Sequence, residues 1–121
     1  MIFDDDIEIF SILKYLVEDN GWQLQCRENC NNLVQEVRNI RPDVILMDNW
    51  IPETGGIAAT QTLKREDDLK HIPVIYFSAN NNIEELAREA GADTFIAKPF
   101  DLDELEEMIK KQLNKSKEES K

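Results

Sequence analysis

The chain has 121 residues, 41% of them hydrophobic, which suits one domain with a core of its own. A formal net charge of −11 argues against direct contact with nucleic acid or anionic membrane, which would be repelled, and favours a divalent cation or a partner with a basic face. No apolar stretch approaches the roughly 20 residues that span a bilayer, and Met1-Ile2-Phe3 runs straight into aspartates instead of continuing as a secretory signal, so the expected location is the cytoplasm.

Short apolar runs alternate with amphipathic segments about five times along the chain. Met1 to Phe3 reads as a strand and residues 7–20 as a helix with Ile9, Leu13, Leu16 and Val17 on one face, stopped by Gly21 as a left-handed cap. Of the acids ahead of this helix, Asp6 is nearest its N-terminus and best placed to favour the dipole. Residues 22–26 alternate like a strand. Asn31 or Asn32 can cap a helix carrying Leu33, Val34, Val37 and Ile40, which Arg41-Pro42 breaks. Residues 44–47 are apolar on both faces and read as a central strand.

A loop then runs through Pro52 to Gly55-Gly56, followed by a helix over 57–65. Residues 73–77 form another doubly apolar strand, 78–82 a polar loop and 83–90 a helix ended by Gly91. Residues 93–97 make the fifth strand, and Lys98-Pro99-Phe100 leads to a helix from Leu102 to about Leu113. The acids at Glu84-Glu85 and at Glu104, Glu106 and Glu107 read as solvated helix faces. Residues 1–114 form the expected domain, with 115–121 as a charged tail or the start of a linker.

Strands alternating with helices, the central ones apolar on both faces, argue for a parallel sheet covered on both sides. In such a sheet ligands bind beyond the carboxyl ends of the strands. The residues that fall there are Asp4-Asp5-Asp6, Asp48, Ser78 and Lys98. Carboxylates brought together oppose each other's ionisation unless a cation joins them. Clustered carboxylate oxygens suit Mg²⁺. With the metal present, an ionised Asp48 can act as a nucleophile toward phosphorus, while Lys98 supplies an ammonium and Ser78 a hydroxyl donor. No Gly-x-x-x-x-Gly-Lys loop or Gly-x-Gly-x-x-Gly turn is present, so the phosphoryl group is expected to arrive on another molecule. Cys26, Cys30 and the lone His71 are too few to read as a zinc site; two reduced thiols are expected.

The acid pair after strand one, Leu46-Met47-Asp48 with Pro52 and Gly55-Gly56, Phe77-Ser78-Ala79 and Ala97-Lys98-Pro99-Phe100 together resemble the receiver domain of bacterial two-component response regulators. The likeness runs from about Ile2 to Leu113. It implies a flavodoxin-like α/β fold, five parallel strands in the order 2-1-3-4-5 with five helices. Asp48 would be the phosphoacceptor, charged by a sensor histidine kinase or a histidine phosphotransfer protein, so that the domain catalyses only its own phosphorylation and dephosphorylation. By the same resemblance Mg²⁺ is held by Asp5 directly, by Asp4 through water, by Asp48 and by the backbone carbonyl of Trp50. Ser78 and Phe95 match the family's switch hydroxyl and switch aromatic. The Lys98-Pro99 bond is expected to be cis. A downstream target or effector domain would dock on helix 4, strand 5 and helix 5, and a homodimer is left open.

Two departures stand out. Strand one is about three residues long where the family has several more, which leaves two expectations open: a less stable sheet centre, or a sequence that has lost its start. Trp50 is bulky two residues past the acceptor and is expected to shield an acyl phosphate from water. Trp50 also stands where a haloacid-dehalogenase-type phosphatase, the nearest rival with a Mg²⁺-dependent aspartate nucleophile, needs a second acid. A flavodoxin-like electron carrier needs a glycine- and hydroxyl-rich phosphate loop where three aspartates stand. A phosphorylation-independent interaction module would not need every chemically active family position filled.

Overall fold

Alternation of side chains along each strand decides which residues face which helices. A computed structural model describes residues 1–119 of the chain, with side chains described through residue 115. The elements are β1 (Ile2–Phe3), α1 (Ile7–Asn20), β2 (Cys26–Arg27), α2 (Leu33–Ile40), β3 (Ile45–Asp48), α3 (Gly56–Arg65), β4 (Val74–Ser78), α4 (Ile83–Ala90), β5 (Thr94–Ala97) and α5 (Leu102–Glu119). All pairings are parallel and the strand order is β2-β1-β3-β4-β5. This is the flavodoxin-like strand order that the family resemblance implies, and the doubly covered parallel sheet that the alternating pattern predicts.

Two apolar layers hold it. On one face Met47, Val74 and Tyr76 pack with Val37 of α2, Leu63 of α3 and Ala87 of α4. On the other, Leu46, Ile75, Phe77 and Ile96 pack with Leu13 and Leu16 of α1 and with Leu105 and Ile109 of α5. A side chain such as Leu63 or Leu105, each at most 1% exposed, contributes about 2 kcal/mol by leaving water. Both faces are dry, so β3 and β4 must be apolar throughout, and every residue of each is buried up to the polar group at its end.

The predicted caps hold in part. Gly21 closes α1 with φ 70°, and the Asp6 carboxylate accepts the Glu8 N–H at the start of that helix. Asn32 precedes α2 without a side-chain capping bond. The second strand is shorter than residues 22–26 and sits later, because β1 offers only two ladder positions, Ile2 to Cys26 and Phe3 to Arg27. The last helix does not stop near Leu113 but continues through Glu119; the segment after Leu113 contains neither Gly nor Pro to end it. Of the expected tail, residues 120–121 lie outside the described part. Among the described residues no helix is long and apolar enough to cross a membrane.

Candidate functional site

Strand order brings the carboxyl ends of β1, β3 and β4 side by side with β5 flanking them. Asp4 follows β1, Asp48 ends β3, Ser78 ends β4 and Lys98 follows β5. Each is tied down by backbone. The Asp4 N–H donates to Arg27 O at 3.0 Å, and the Lys98 N–H donates to Ser78 O at 2.9 Å. The Lys98-Pro99 bond is cis, as the resemblance implied.

The side chains converge on the lysine. Lys98 Nζ donates to Asp48 Oδ1 at 3.0 Å and to Asp4 Oδ2 at 3.2 Å, and lies 4.6 Å above the centroid of the Phe77 ring. The second oxygen of Asp48 accepts the Trp50 N–H at 3.2 Å, and that of Asp4 accepts the Asp6 N–H at 2.9 Å. Asp4 is fully buried and Asp48 nearly so, whereas Asp5 is exposed at the rim. One carboxylate oxygen from each of Asp4, Asp5 and Asp48 falls within 4.8 Å of the other two.

Charge and burial pull against each other here. Burial is the chief cause that raises the Asp48 carboxyl; the Lys98 hydrogen bond lowers it and the Asp4 charge raises it again. Asp4 is likewise raised, first by burial, with the Asp6 N–H and Lys98 acting the other way. Burial disfavours the Lys98 ammonium, but its bonds to Asp48 and Asp4 outweigh that, and its pKa is raised. One cation is thus shared between two buried carboxylates, with a third acid beside them.

The donor set fits a small hard cation. Octahedral Mg²⁺ binds oxygen at about 2.1 Å, which sets its ligand oxygens roughly 3 to 4 Å apart, and the three carboxylates lie within that reach with modest adjustment. Neither thiol offers an alternative: burial raises the pKa of the half-buried Cys26 and pushes that of Cys30 up to about 12.

Ser78 is 5% exposed, and its Oγ accepts the Asn80 N–H at 3.0 Å, which leaves its own proton to donate. Phe95 is the register partner of Tyr76 and is 36% exposed, so it stands at the outer edge of the sheet and not in the packed core. Trp50 meets Asp48 through its backbone, while the side chain is 76% exposed. A ring so open to solvent does not cover Asp48 as it stands, so the expected shielding would require it to swing over.

Two contacts at the site went unread in the sequence, where Gly55-Gly56 reads only as a turn. Gly56 opens α3 against the end of β3, where a Cβ would lie 2.2 Å from the Asp48 carbonyl oxygen, so only glycine fits. Tyr76, fully buried in β4, donates its hydroxyl to Asn49 Oδ1, one residue past Asp48. The signal was available: a tyrosine inside a doubly buried strand needs a partner for its hydroxyl.

The family description "Response regulator receiver domain" matches residues 1–110. Over 115 residues the chain is 35% identical to the polar-differentiation response regulator DivK of Brucella anthropi, covering 93% of this chain and 94% of that one. Among solved structures it is similar to the signal receiver domain of a signal transduction histidine kinase from Syntrophus aciditrophicus, with 32% identity and a TM-score of 0.83 over 93% of this chain and 87% of that one. It also shares its fold with the receiver domain of the sensor histidine kinase PA1611 from Pseudomonas aeruginosa, which carries a magnesium ion coordinated in its active site cleft. That match has a TM-score of 0.84 and 23% identity, covering 93% of this chain and 94% of the other.

Proposed function

This chain belongs to the response regulator receiver family of two-component signalling, and on that premise we propose that it is a phosphorylation-controlled switch whose phosphoacceptor is Asp48. The observation that carries the reading is the single ammonium of Lys98 held between Asp4 and Asp48, with Asp5 within 4.8 Å of both carboxylates. A merely structural ion pair would not need two buried carboxylates on one lysine with a third acid beside them.

Phosphorus arrives on a histidine of a sensor kinase or phosphotransfer protein. A carboxylate oxygen of Asp48 forms the new O–P bond as the P–N bond of the phosphohistidine breaks, and the departing imidazole nitrogen keeps the electron pair and takes a proton from solvent. Lys98 moves its hydrogen bond from the Asp48 oxygen to a phosphoryl oxygen, and the Ser78 hydroxyl donates to another. Asp4, Asp5, Asp48 and the Trp50 carbonyl are the groups that would hold Mg²⁺. When bound, that ion offsets the negative charge that carboxylates and phosphoryl oxygens bring to one place. The domain acts on its own aspartate and turns over no separate substrate.

A donor protein can dock over the acidic rim, where Ile7 and Trp50 stand exposed at 62% and 76%. Retraction of Ser78 and Lys98 toward the phosphoryl group gives the outer aromatic Phe95 a place to move inward. That biases α4, β5 and α5 between two surfaces that a target or effector domain can distinguish. A cytoplasmic location accords with this role.

Incubation with Mg²⁺ and acetyl phosphate tests the reading. A lasting phosphoryl adduct mapped to Asp48, absent in Asp48→Asn, is expected. Multiple turnover of the donor without an adduct would instead indicate a phosphatase, and an adduct of equal yield in Asp48→Asn would show that the acceptor is wrongly assigned.

A further inference from the structure

Tyr76 carries a hydroxyl into the apolar layer beneath α3 and α4, a cluster that includes Met47, Ile83 and Ala87. Phenylalanine would fill the same space. A buried hydroxyl costs stability unless it is bonded, and its bond goes to the side chain that follows Asp48.

Asn49 is thereby held at three points. Its N–H donates to Phe77 O at 3.0 Å, its carbonyl accepts the Gly56 N–H at 3.0 Å, and its side-chain oxygen accepts the Tyr76 hydroxyl. Residues 48 and 49 point to opposite faces of the sheet. The chain therefore pivots between them, and the next residue places its N–H on Asp48 Oδ2 at 3.2 Å. Burial first, and the charge of Asp48 second, push the Tyr76 phenol up, so the hydroxyl keeps its proton and stays the donor.

We propose that Tyr76 is a positioning residue for the candidate site. By anchoring the Asn49 side chain from below, it fixes the peptide that aims the Trp50 N–H at Asp48 and sets where the Trp50 carbonyl lies. The consequence for phosphorylation rests on the reading of Asp48 as acceptor; the consequence for the Trp50 amide does not.

The test compares Tyr76→Phe, Asn49→Ala, the double variant, and Tyr76→Phe combined with Asn49→Leu. The first readout is hydrogen exchange at the Trp50 amide, in metal-free protein without phosphodonor. Its bond to Asp48 Oδ2 is expected to protect this amide in the wild-type chain, and in Tyr76→Phe that protection is expected to fall about fivefold relative to that of the β3 amides. The second readout is the acetyl phosphate reaction rate with Mg²⁺, expected to fall about fivefold, the value of one ordinary hydrogen bond. Because the two residues act as one device, the double variant is expected to be no worse than either single one. Combining Tyr76→Phe with Asn49→Leu removes the stranded amide and is expected to restore melting temperature, while the Trp50 amide stays less protected. A Tyr76→Phe chain that loses melting temperature but keeps the wild-type protection of the Trp50 amide relative to the β3 amides would overturn the proposal. So would recovery of that protection along with stability in the combined variant. If the wild-type chain accepts no phosphoryl group, the acceptor reading fails on its own and the amide protection still decides the role of Tyr76.

Discussion

Replacing Asp5 by asparagine removes one charge and almost nothing else, since Asp5 is exposed and makes no bond to Lys98. Its carboxylate lies within 4.8 Å of those of Asp4 and Asp48. At that separation each like-charge pair costs about 0.9 kcal/mol in water and about 3.5 kcal/mol at an effective dielectric constant of 20, and the lower figure suits an exposed group. Two such pairs, set against the more distant pull of Lys98, leave a net relief of about 1 kcal/mol. For a domain of this size that raises the metal-free melting temperature by about 4 °C. The opposite sign is expected with Mg²⁺. A ligand at a hundredfold excess over its dissociation constant stabilises by about 2.7 kcal/mol, and a tenfold loss of affinity cuts this to about 1.4 kcal/mol. The metal-induced rise in melting temperature is therefore halved in Asp5→Asn. Paired thermal melts in chelator and in excess Mg²⁺ measure both quantities. A metal-free melting temperature that stays put or drops refutes the clustering of the three charges; an undiminished metal increment refutes Asp5 as a ligand.

The pH dependence of the metal-free chain follows from the same cluster. Asp4 and Asp48 both have folded pKa values above 3.8, so between 3.8 and those values the folded state binds more protons than the unfolded one. Their contribution is complete below 3.8 and lost as pH rises through the folded values. Wild-type stability is thus expected to gain on that of Asp48→Asn as pH falls from about 7 to about 4, and a gap that stays constant across this range would contradict the shift. A Cβ at Gly56 would sit 2.2 Å from Asp48 O and 2.9 Å from Asn49 Cα, both backbone atoms that cannot yield, so Gly56→Ala is expected to cost about 2 to 3 kcal/mol. Gly55→Ala meets open space and bears only the strain of φ +79°, about 1 to 2 kcal/mol. Denaturant midpoints that rank Gly55→Ala as the more harmful would show that α3 does not press on β3 as described.

Asp48, Ser78 and Lys98 were legible because each interrupts or follows an apolar run, and in a parallel sheet the ends of such runs must meet at one rim. Asp6 was legible as a helix start for a local reason, the reach of its carboxylate to an N–H two residues on. What stayed hidden depends on contacts between segments distant in sequence. The alternation over residues 22–26 is sound strand patterning, yet β2 forms at Cys26–Arg27, because the length of a strand is set by what its neighbour offers and β1 offers two residues. The family resemblance is what assigns Phe95 the switch position, and only the register against Tyr76 puts it on the outer edge. The partnership of Tyr76 with Asn49 spans 27 residues, and neither residue advertises it. A tyrosine in a buried strand announces that a hydroxyl needs a partner, and an asparagine after a strand end reads as an ordinary turn former. Only their meeting shows that the backbone beyond Asp48 is held from the core below as well as by the loop above, and that makes the geometry of the acidic site a property of β4 as much as of β3.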